Sequence, residues 1–352
     1  MKVLAIILFL IISLRVVLSI TRRARIKDNS LELLFTFVIY AILIFLAAFR
    51  SENVGTDTIG YSQDYYQVQF VSFKDIPYQY QGYEGYYYTS KIFATVLNAP
   101  LWVWFAFVEF VFISAIARLI NRFSKDKLYS ILILVTSGLY MFSLAGLKQT
   151  LAMAVFIHAY MGLVDKQYIR FMLLNVLVYL IHPVVIIGNI VSILYVIRNS
   201  KYFYICLFII AALLCFGTMT FMTYLVKLSG NEHFEIYLIQ DSSYSKATLY
   251  LYIFVLGCTL PFVKKLLKDN VDFKVLFAGS MLVCLFQYTA SFSTSLFRLA
   301  FCFLPFFISF VPNVFAKKYR KSLSITLSIA VMLGLVFFCL YANRNLSFTL
   351  KL

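Results

Sequence analysis

Four side chains able to bear positive charge stand at the ends of long apolar runs, where polar groups are costly to keep. They are Arg50, Lys148, His182 and Arg298. A charge at helix depth costs about 2.5–3.5 kcal/mol on insertion scales, so each one calls for a reason. Together they would suit a diphosphate, because such cations bind phosphate oxygens well. The alternative is snorkelling, since Arg and Lys near helix ends commonly reach back to headgroups.

Carboxylates and tyrosines gather in the polar segment that follows Arg50. Transfer of a group onto a hydroxyl needs a base, and Asp57 or His182 could serve; the alternative for the acids is helix capping or pairing with Arg50. Nine tyrosines lie between Tyr61 and Tyr88. Their rings could pack against sugars, or they could form the aromatic belt expected at a membrane interface. We favour the belt for most of them and the sugar platform for a few.

Composition predicts a membrane protein. The chain is 62% hydrophobic and only 13% charged, against about 45–50% and about 25% in soluble domains. Its +16 net charge sits in short clusters between apolar runs, which argues for membrane orientation and against nucleic-acid binding. The six cysteines form no CxxC pair and the three histidines do not cluster with carboxylates. Neither a disulfide framework nor a metal site is therefore expected, and no cofactor is indicated.

The elements that must position these residues are membrane-spanning helices. Apolar runs of near-spanning length, which is about 20 residues, occur at 2–20, 31–49, 100–118, 128–145, 147–163, 168–182, 184–197, 202–226, 248–263, 273–296, 298–315 and 323–341. The pair that shares His182-Pro183 could be one kinked pair or a re-entrant turn. We predict one all-α transmembrane domain over residues 1–352, with about 12 helices (11–13).

Basic residues predict the orientation of these helices. Placing the N-terminus outside puts short loops at 21–30, 119–127, 164–170, 198–201, 264–274 and 316–322 on the inner face. Each is positive, and together they hold most of the 31 Lys and Arg residues, as the positive-inside rule requires. Both termini are then extracytoplasmic, as are the Tyr-rich loop 50–99 and a second loop, 227–247. Arg15 and Glu109 lie deeper in their helices and could pair structurally across the bundle.

Several short motifs resemble those of EpsG-like, Wzy-type bacterial polysaccharide polymerases. Arg50 followed by Val54-Gly55-Thr56-Asp57-Thr58 and Tyr61 is one, and Glu84-Gly85-Tyr86 is another. Leu147-Lys148-Gln149 opening a span, His182-Pro183 and a late Arg298 complete the similarity, which covers about residues 30–310. The family usually has arginine where this chain has Lys148, so the charge is kept and the bidentate fork is lost.

The resemblance implies a GT-C-like, metal-independent, inverting glycosyltransferase in the bacterial cytoplasmic (inner) membrane. It would polymerise undecaprenyl-diphosphate-linked repeats into O antigen, capsule or exopolysaccharide at the periplasmic or exterior face. Arg50, Lys148, Gln149 and Arg298 would hold the diphosphate, Asp57 or His182 would act on the acceptor hydroxyl, and Tyr61, Glu84 and Tyr86 would bind glycan. Membrane lipid and a chain-length regulator protein are the implied partners. A lipid-linked oligosaccharide flippase and a glycan ligase are the alternatives.

Overall fold

The computed structural model describes residues 2–23, 29–217, 246–290, 296–315, 322–345 and 348–350, together with residues 220 and 223. Within these ranges the secondary structure is helical, without strands, apart from one isolated antiparallel bridge between Arg50 and Leu350. The all-α prediction is therefore confirmed for the described part of the chain. Nearly all of the predicted outer loop 227–247 lies outside the described residues.

The chain forms two compact units. The first comprises Met1–Ile186 and Leu335–Leu352, and the second comprises Ile187–Gly334. Helices of the first unit are α1 (Lys2–Arg23), α2 (Asn29–Ala48), α3 (Thr58–Gln67), α4 (Ile76–Gln79), α5 (Glu84–Lys91), α6 (Leu101–Phe123), α7 (Lys127–Thr136), α8 (Leu139–Ala145), α9 (Leu147–Val164) and α10 (Tyr168–Ile181). Those of the second are α11 (Asn189–Val196), α12 (Phe203–Phe216), α13 (Ala247–Asp269), α14 (Asp272–Thr289), α15 (Phe297–Phe301) and α16 (Leu304–Val314). The last helix, α17 (Ser322–Ala342), belongs to the second unit up to Gly334 and to the first from Leu335.

Among the described residues, 6 helices are long and apolar enough to cross a membrane, or up to 7 if the bent α7–α8 pair counts as one span. These are α1, α2, α6, α9, α13 and α17. Four further apolar stretches, including α10 and α12, are shorter. At 1.5 Å per residue α10 measures about 21 Å, less than the bilayer core of about 30 Å. A multi-pass membrane protein is thus supported, while twelve spans, the outer placement of both termini and a GT-C-like architecture stay predictions.

Helix α9 is the centre of the first unit. It packs between α6 and α10, and most of its residues, including small ones such as Ala152 and Ala154, are buried. The preceding run is broken, because Gly138 adopts a positive φ of 85° and α7 and α8 meet at a 54° bend. Only Gly146 separates α8 from α9, so Lys148 lies in the first turn of α9.

The segment between α2 and α6, which is predicted to lie on the outer side and is called the outer segment, folds as short helices, of which α5 packs against α10. Lys91 is buried, and its Nζ donates to the carbonyls of Val68 and Gln69, both at 3.1 Å. These hydrogen bonds satisfy two backbone acceptors just after the end of α3. The Tyr65 hydroxyl donates to the Ala99 carbonyl at 2.6 Å. This segment is therefore a structured platform above α9.

Ion pairs join loops that the positive-inside rule assigns to one face. Arg118 pairs with Asp165 at 2.7 Å in the first unit, and Arg198 pairs with Asp272 at 3.1 Å in the second. The expected pairing of Arg15 with Glu109 is wrong. Arg15 instead donates to Asp126 at 3.0 Å, because that acid is the N-cap of α7, which packs against α1.

Candidate functional site

A single backbone carbonyl, that of Leu144, anchors the outer segment on the break between α8 and α9. Arg50 Nη2 donates to it at 3.1 Å, and the Thr58 hydroxyl, whose shorter hydrogen bond of 2.6 Å goes to the Val54 carbonyl, lies 3.3 Å from it. Gly55 lies so close that a Cβ there would be 2.9 Å from the same oxygen, and its φ is +97°. The Val54-Gly55-Thr56-Asp57-Thr58 motif therefore fixes the turn that immediately precedes Lys148.

Arg50 is a buried part of this junction. It is only 4% exposed, its Nη1 donates to the Ala47 carbonyl, and its guanidinium lies 4.0 Å from the centre of the Phe105 ring. Burial lowers its pKa to about 10, with Glu109 acting in the opposite direction, so the group stays protonated at neutral pH. Because its Nη1 and Nη2 donate to backbone carbonyls, the geometry favours a positioning role for Arg50. Direct contact with a diphosphate stays a prediction.

Lys148 is the centre of a compact polar cluster. Its Nζ donates to the Tyr87 hydroxyl at 2.5 Å and lies 3.4 Å from Asp64 Oδ2. The Tyr87 hydroxyl in turn donates to the same Asp64 oxygen at 2.5 Å. The phenol thus stands between cation and carboxylate in a three-membered network drawn from α3, α5 and α9. We call Lys148, Asp64 and Tyr87 the Lys148 cluster.

Four tyrosine rings surround the ammonium group of Lys148. Their centroids lie 4.5 Å (Tyr87), 5.1 Å (Tyr83), 5.5 Å (Tyr61) and 5.7 Å (Tyr86) from Nζ. Each distance is within the roughly 6 Å over which a cation is attracted to a ring face. The lysine side chain remains 19% exposed and that of Asp64 30%, so the cluster is held by aromatic walls and is still open to a ligand.

Glycine 85 brings α5 against the end of α10. A Cβ at Gly85 would lie 3.0 Å from the carbonyl carbon of Leu180, so only glycine allows this approach without a shift. The contact sets Tyr83 edge-on to His182, with ring centroids 5.1 Å apart. His182 follows the last residue of α10 in extended conformation, and Tyr83 therefore links the imidazole to the Lys148 cluster.

The surroundings of Tyr87 hold it in the neutral form. Burial, followed by its hydrogen bond to Asp64, raises the pKa of Tyr87 well above the ordinary value. The Tyr80 ring stacks on it with centroids 3.6 Å apart, and burial and the Asp64 charge also raise the pKa of Tyr80. Tyr87 therefore remains a hydrogen-bond donor, which is what its place between two charged groups requires.

The structure brings together some of the residues that the sequence singled out, and shows other roles for the rest. Lys148, Tyr61, Tyr86 and His182 belong to one neighbourhood, and the charge of Asp57 also acts on Lys148. Tyr86 is buried and accepts a hydrogen bond from Trp104 Nε1 at 3.3 Å. Glu84 accepts from the Gly82 N–H at 2.9 Å, so it holds the turn that leads into α5. Gln149 is buried in α9, and Arg298 lies in α15 of the second unit.

Sequence reasoning missed Asp64, Tyr83 and Tyr87. Asp64 follows Asp57 and Tyr61 at the spacing of one helix face, a signal present in the sequence. Of the nine tyrosines, Tyr66 and Tyr78 are exposed, as expected for a belt, whereas four enclose Lys148. In the described part of the chain no group of three or more His, Cys, Asp or Glu side chains is placed to hold a metal ion, and metal independence stays a prediction.

Comparison with known families matched the chain to a family model described as the EpsG family, which covers residues 33–350. Searches of curated proteins and of solved structures gave no match. The matched range includes all of the outer segment, the whole Lys148 cluster, His182 and Arg298.

Proposed function

The chain belongs to the EpsG family, and from this premise we propose that it is a membrane glycosyltransferase that polymerises lipid-linked oligosaccharide repeats. Family membership suggests a polysaccharide polymerase-type membrane protein. The observation that supports the chemistry is a partly exposed lysine in a tyrosine-walled cluster at the first turn of a buried membrane helix. Such a site offers a cation for a phosphate beside aromatic faces for sugar rings.

The proposed donor is a growing glycan on undecaprenyl diphosphate, and the acceptor is the non-reducing sugar of a second lipid-linked repeat. The acceptor oxygen bonds to the anomeric carbon while the bond from that carbon to the phosphate oxygen breaks. The electron pair leaves with the diphosphate, and the hydroxyl proton passes to a base. Attack from the opposite side inverts the anomeric centre. Since the leaving group carries the developing charge, fixed cations near it would stabilise the transition state.

We assign the residues as follows. Lys148 binds the diphosphate, Gln149 and Arg298 are proposed as further diphosphate ligands, and Arg50 holds the Leu144 carbonyl so that Lys148 is presented correctly. Asp57 and His182 are candidates to orient or deprotonate the acceptor, His182 through its contact with Tyr83. Tyr61 is proposed to bind glycan with the buried Tyr86 packed against its ring, at 6.0 Å between centroids. Glu84, which holds the turn before α5, is proposed as a further glycan ligand.

The proposed setting is the bacterial cytoplasmic membrane, with the site facing the periplasm or exterior. The reaction is metal-independent in this proposal, because Lys and Arg side chains supply the positive charge that a metal ion would otherwise provide. A chain-length regulator is a proposed partner, and the polymer is O antigen, capsule or exopolysaccharide. An inward-facing site would contradict the positive-inside orientation, which places α9's first turn at the outer end.

The proposal is tested by the length of cell-surface glycan on a gel ladder after gene deletion and complementation. We expect deletion to leave single repeats, Lys148→Ala to fail to restore long chains, and Lys74→Ala to restore them. Lys74 is a matched control because it is an exposed lysine of the same outer segment. Normal ladders with Lys148→Ala would overturn the site.

The same strains separate the alternatives. Lipid-linked repeats trapped on the cytoplasmic side after deletion would indicate a flippase. Long lipid-linked chains that never reach their final acceptor would indicate a ligase. Either result would overturn the polymerase proposal, and both are read from the lipid-linked pool of the deletion strain.

A further inference from the structure

The cation of the proposed site is already occupied by groups of the protein itself. Lys148 Nζ contacts the Tyr87 hydroxyl and Asp64 Oδ2, and both are themselves hydrogen-bonded to each other. An ammonium group has three donors and no acceptor, and its tyrosine walls limit the directions from which a second anion can approach. A diphosphate and the Asp64 carboxylate therefore compete for one cation.

Competition of this kind couples binding to chemistry. While Asp64 is paired with Lys148, its Oδ2 accepts from the Tyr87 hydroxyl and lies 3.4 Å from the ammonium group, so this oxygen is not available to a substrate hydroxyl. When phosphate oxygens replace it at Lys148, the carboxylate loses its main counter-charge and stands next to a new negative group. The released carboxylate can then accept a hydrogen bond from a substrate hydroxyl.

We propose that Lys148 exchanges partners during turnover: the diphosphate of the donor displaces Asp64, and the released carboxylate then accepts the proton of the acceptor hydroxyl. This inference rests on the proposed function and adds Asp64 to it as the base. The proton from the hydroxyl ends on Asp64, the acceptor oxygen bonds to the anomeric carbon, and the electron pair of the broken bond leaves with the diphosphate held by Lys148. Base activation therefore follows donor binding, which prevents the site from activating an acceptor, or water, in the absence of donor.

The exchange predicts opposite effects of one substitution on binding and on catalysis. Asp64→Asn keeps an acceptor for the Tyr87 hydroxyl but removes the competing charge. Binding should tighten about fivefold, the upper range for a partly exposed ion pair, whereas polymerisation should be lost because the amide cannot take up the proton. A purely structural role would weaken both.

The experiment uses the full-length protein in nanodiscs and inorganic pyrophosphate as the probe, with affinity measured by calorimetry and polymerisation by gel ladder. Asp165→Asn is the matched control, because Asp165 is a similarly exposed partner of an ion pair elsewhere in the same unit. It should change neither readout. Asp64→Ser is a second variant that removes the carboxylate charge and leaves a hydroxyl able to accept from Tyr87, so it should tighten pyrophosphate binding in the same direction as Asp64→Asn.

The outcomes separate this inference from the proposed function. If the wild-type protein binds pyrophosphate, Lys148→Ala abolishes binding and Asp64→Asn does not tighten it, the exchange is wrong while the diphosphate site stands. If Lys148→Ala leaves pyrophosphate binding unchanged, the diphosphate site itself is wrong. If Asp64→Asn does not fold, unchanged or weakened binding by Asp64→Ser overturns the exchange. Normal chains made by Asp64→Asn would rule out Asp64 as the base.

Discussion

Replacing Gly55 by alanine tests whether the Leu144 carbonyl is the anchor of the site. Gly55 combines two constraints, a φ of +97° and close contact with the backbone of the α8–α9 break. A Cβ would lie 2.7 Å from Thr58 Oγ1, 2.9 Å from the Leu144 oxygen and 3.1 Å from the Ala145 Cα. The threonine hydroxyl can rotate, but the two backbone atoms belong to a buried junction and cannot move independently.

The expected cost follows from these two constraints. A left-handed conformation costs an L-residue about 1–2 kcal/mol, and forcing a methyl group into a packed site costs about 1–3 kcal/mol more. Gly55→Ala should therefore destabilise the first unit by about 2–5 kcal/mol. With about 2–4 °C per kcal/mol for a unit of this size, Tm should fall by about 10 °C. Long chains should also be lost, since the shift moves the turn that presents Lys148.

Two glycines of the same outer segment provide graded controls. Gly82 also has a positive φ, of +83°, but a Cβ there would meet nothing within 4 Å, and at Gly60, inside α3, neither constraint applies. Thermal unfolding in nanodiscs should rank Gly55→Ala lowest and Gly82→Ala next, with Gly60→Ala equal to the wild type or slightly above it. If Gly55→Ala had the same Tm as Gly82→Ala, the contact with Leu144 would contribute nothing to stability. If it had the same Tm as Gly60→Ala, neither the φ of Gly55 nor its contact with Leu144 would contribute to stability.

Two further predictions concern charge. Arg298→Ala should abolish long chains on the gel ladder while the protein inserts and accumulates normally, because a proposed diphosphate ligand is lost; wild-type chain lengths would remove Arg298 from the site. Burial raises the pKa of Tyr65 to about 12, and that of Tyr87 is also raised. From about pH 10 upward the unfolded chain therefore releases protons that the folded chain retains, and stability falls as pH rises. When Tm is measured between pH 8 and 11.5, these two tyrosines should not change it below pH 10 and should lower it above pH 10. The decline should be less steep in Tyr87→Phe. A rise of Tm above pH 10 would contradict the raised pKa of these tyrosines.

Hydropathy located the long helices well because lipid imposes a simple rule on them. The apolar runs 31–49, 100–118 and 147–163 correspond to α2, α6 and α9, with the end of α6 extended by a polar turn. The run 128–145 concealed a break, although Gly138 stood within it as a signal. Apolar length indicates that a segment can cross a bilayer, but it does not reveal a change of direction, which depends on one residue's φ.

The candidate site was harder to predict because its contacts connect distant parts of the sequence. The sequence pointed to Lys148 and to a tyrosine-rich segment, and both predictions led to the same place. Asp64 and Tyr87 are 23 residues apart, and Lys148 lies 61 residues beyond Tyr87, distances at which no periodicity reports a contact. For Arg50, the sequence indicated the residue but not the direction of its side chain. Its position after α2 suggested an outward-facing cation, whereas its guanidinium is buried over Phe105 and donates to the carbonyls of Ala47 and Leu144.

The cluster also gives a physical reason for lysine at position 148. A guanidinium is flat and needs space for its fork, whereas an ammonium group is a compact point charge. Four ring centroids within 5.7 Å of Nζ form an enclosure suited to the compact group. What lysine loses is the second parallel hydrogen bond to a phosphate, and the Tyr87 hydroxyl stands 2.5 Å away as a neutral donor in a place to supply it. Once Asp64 is displaced, lysine and tyrosine together present the two donors that one arginine would have offered, and the phenol is free to turn from carboxylate to phosphate without any change of charge.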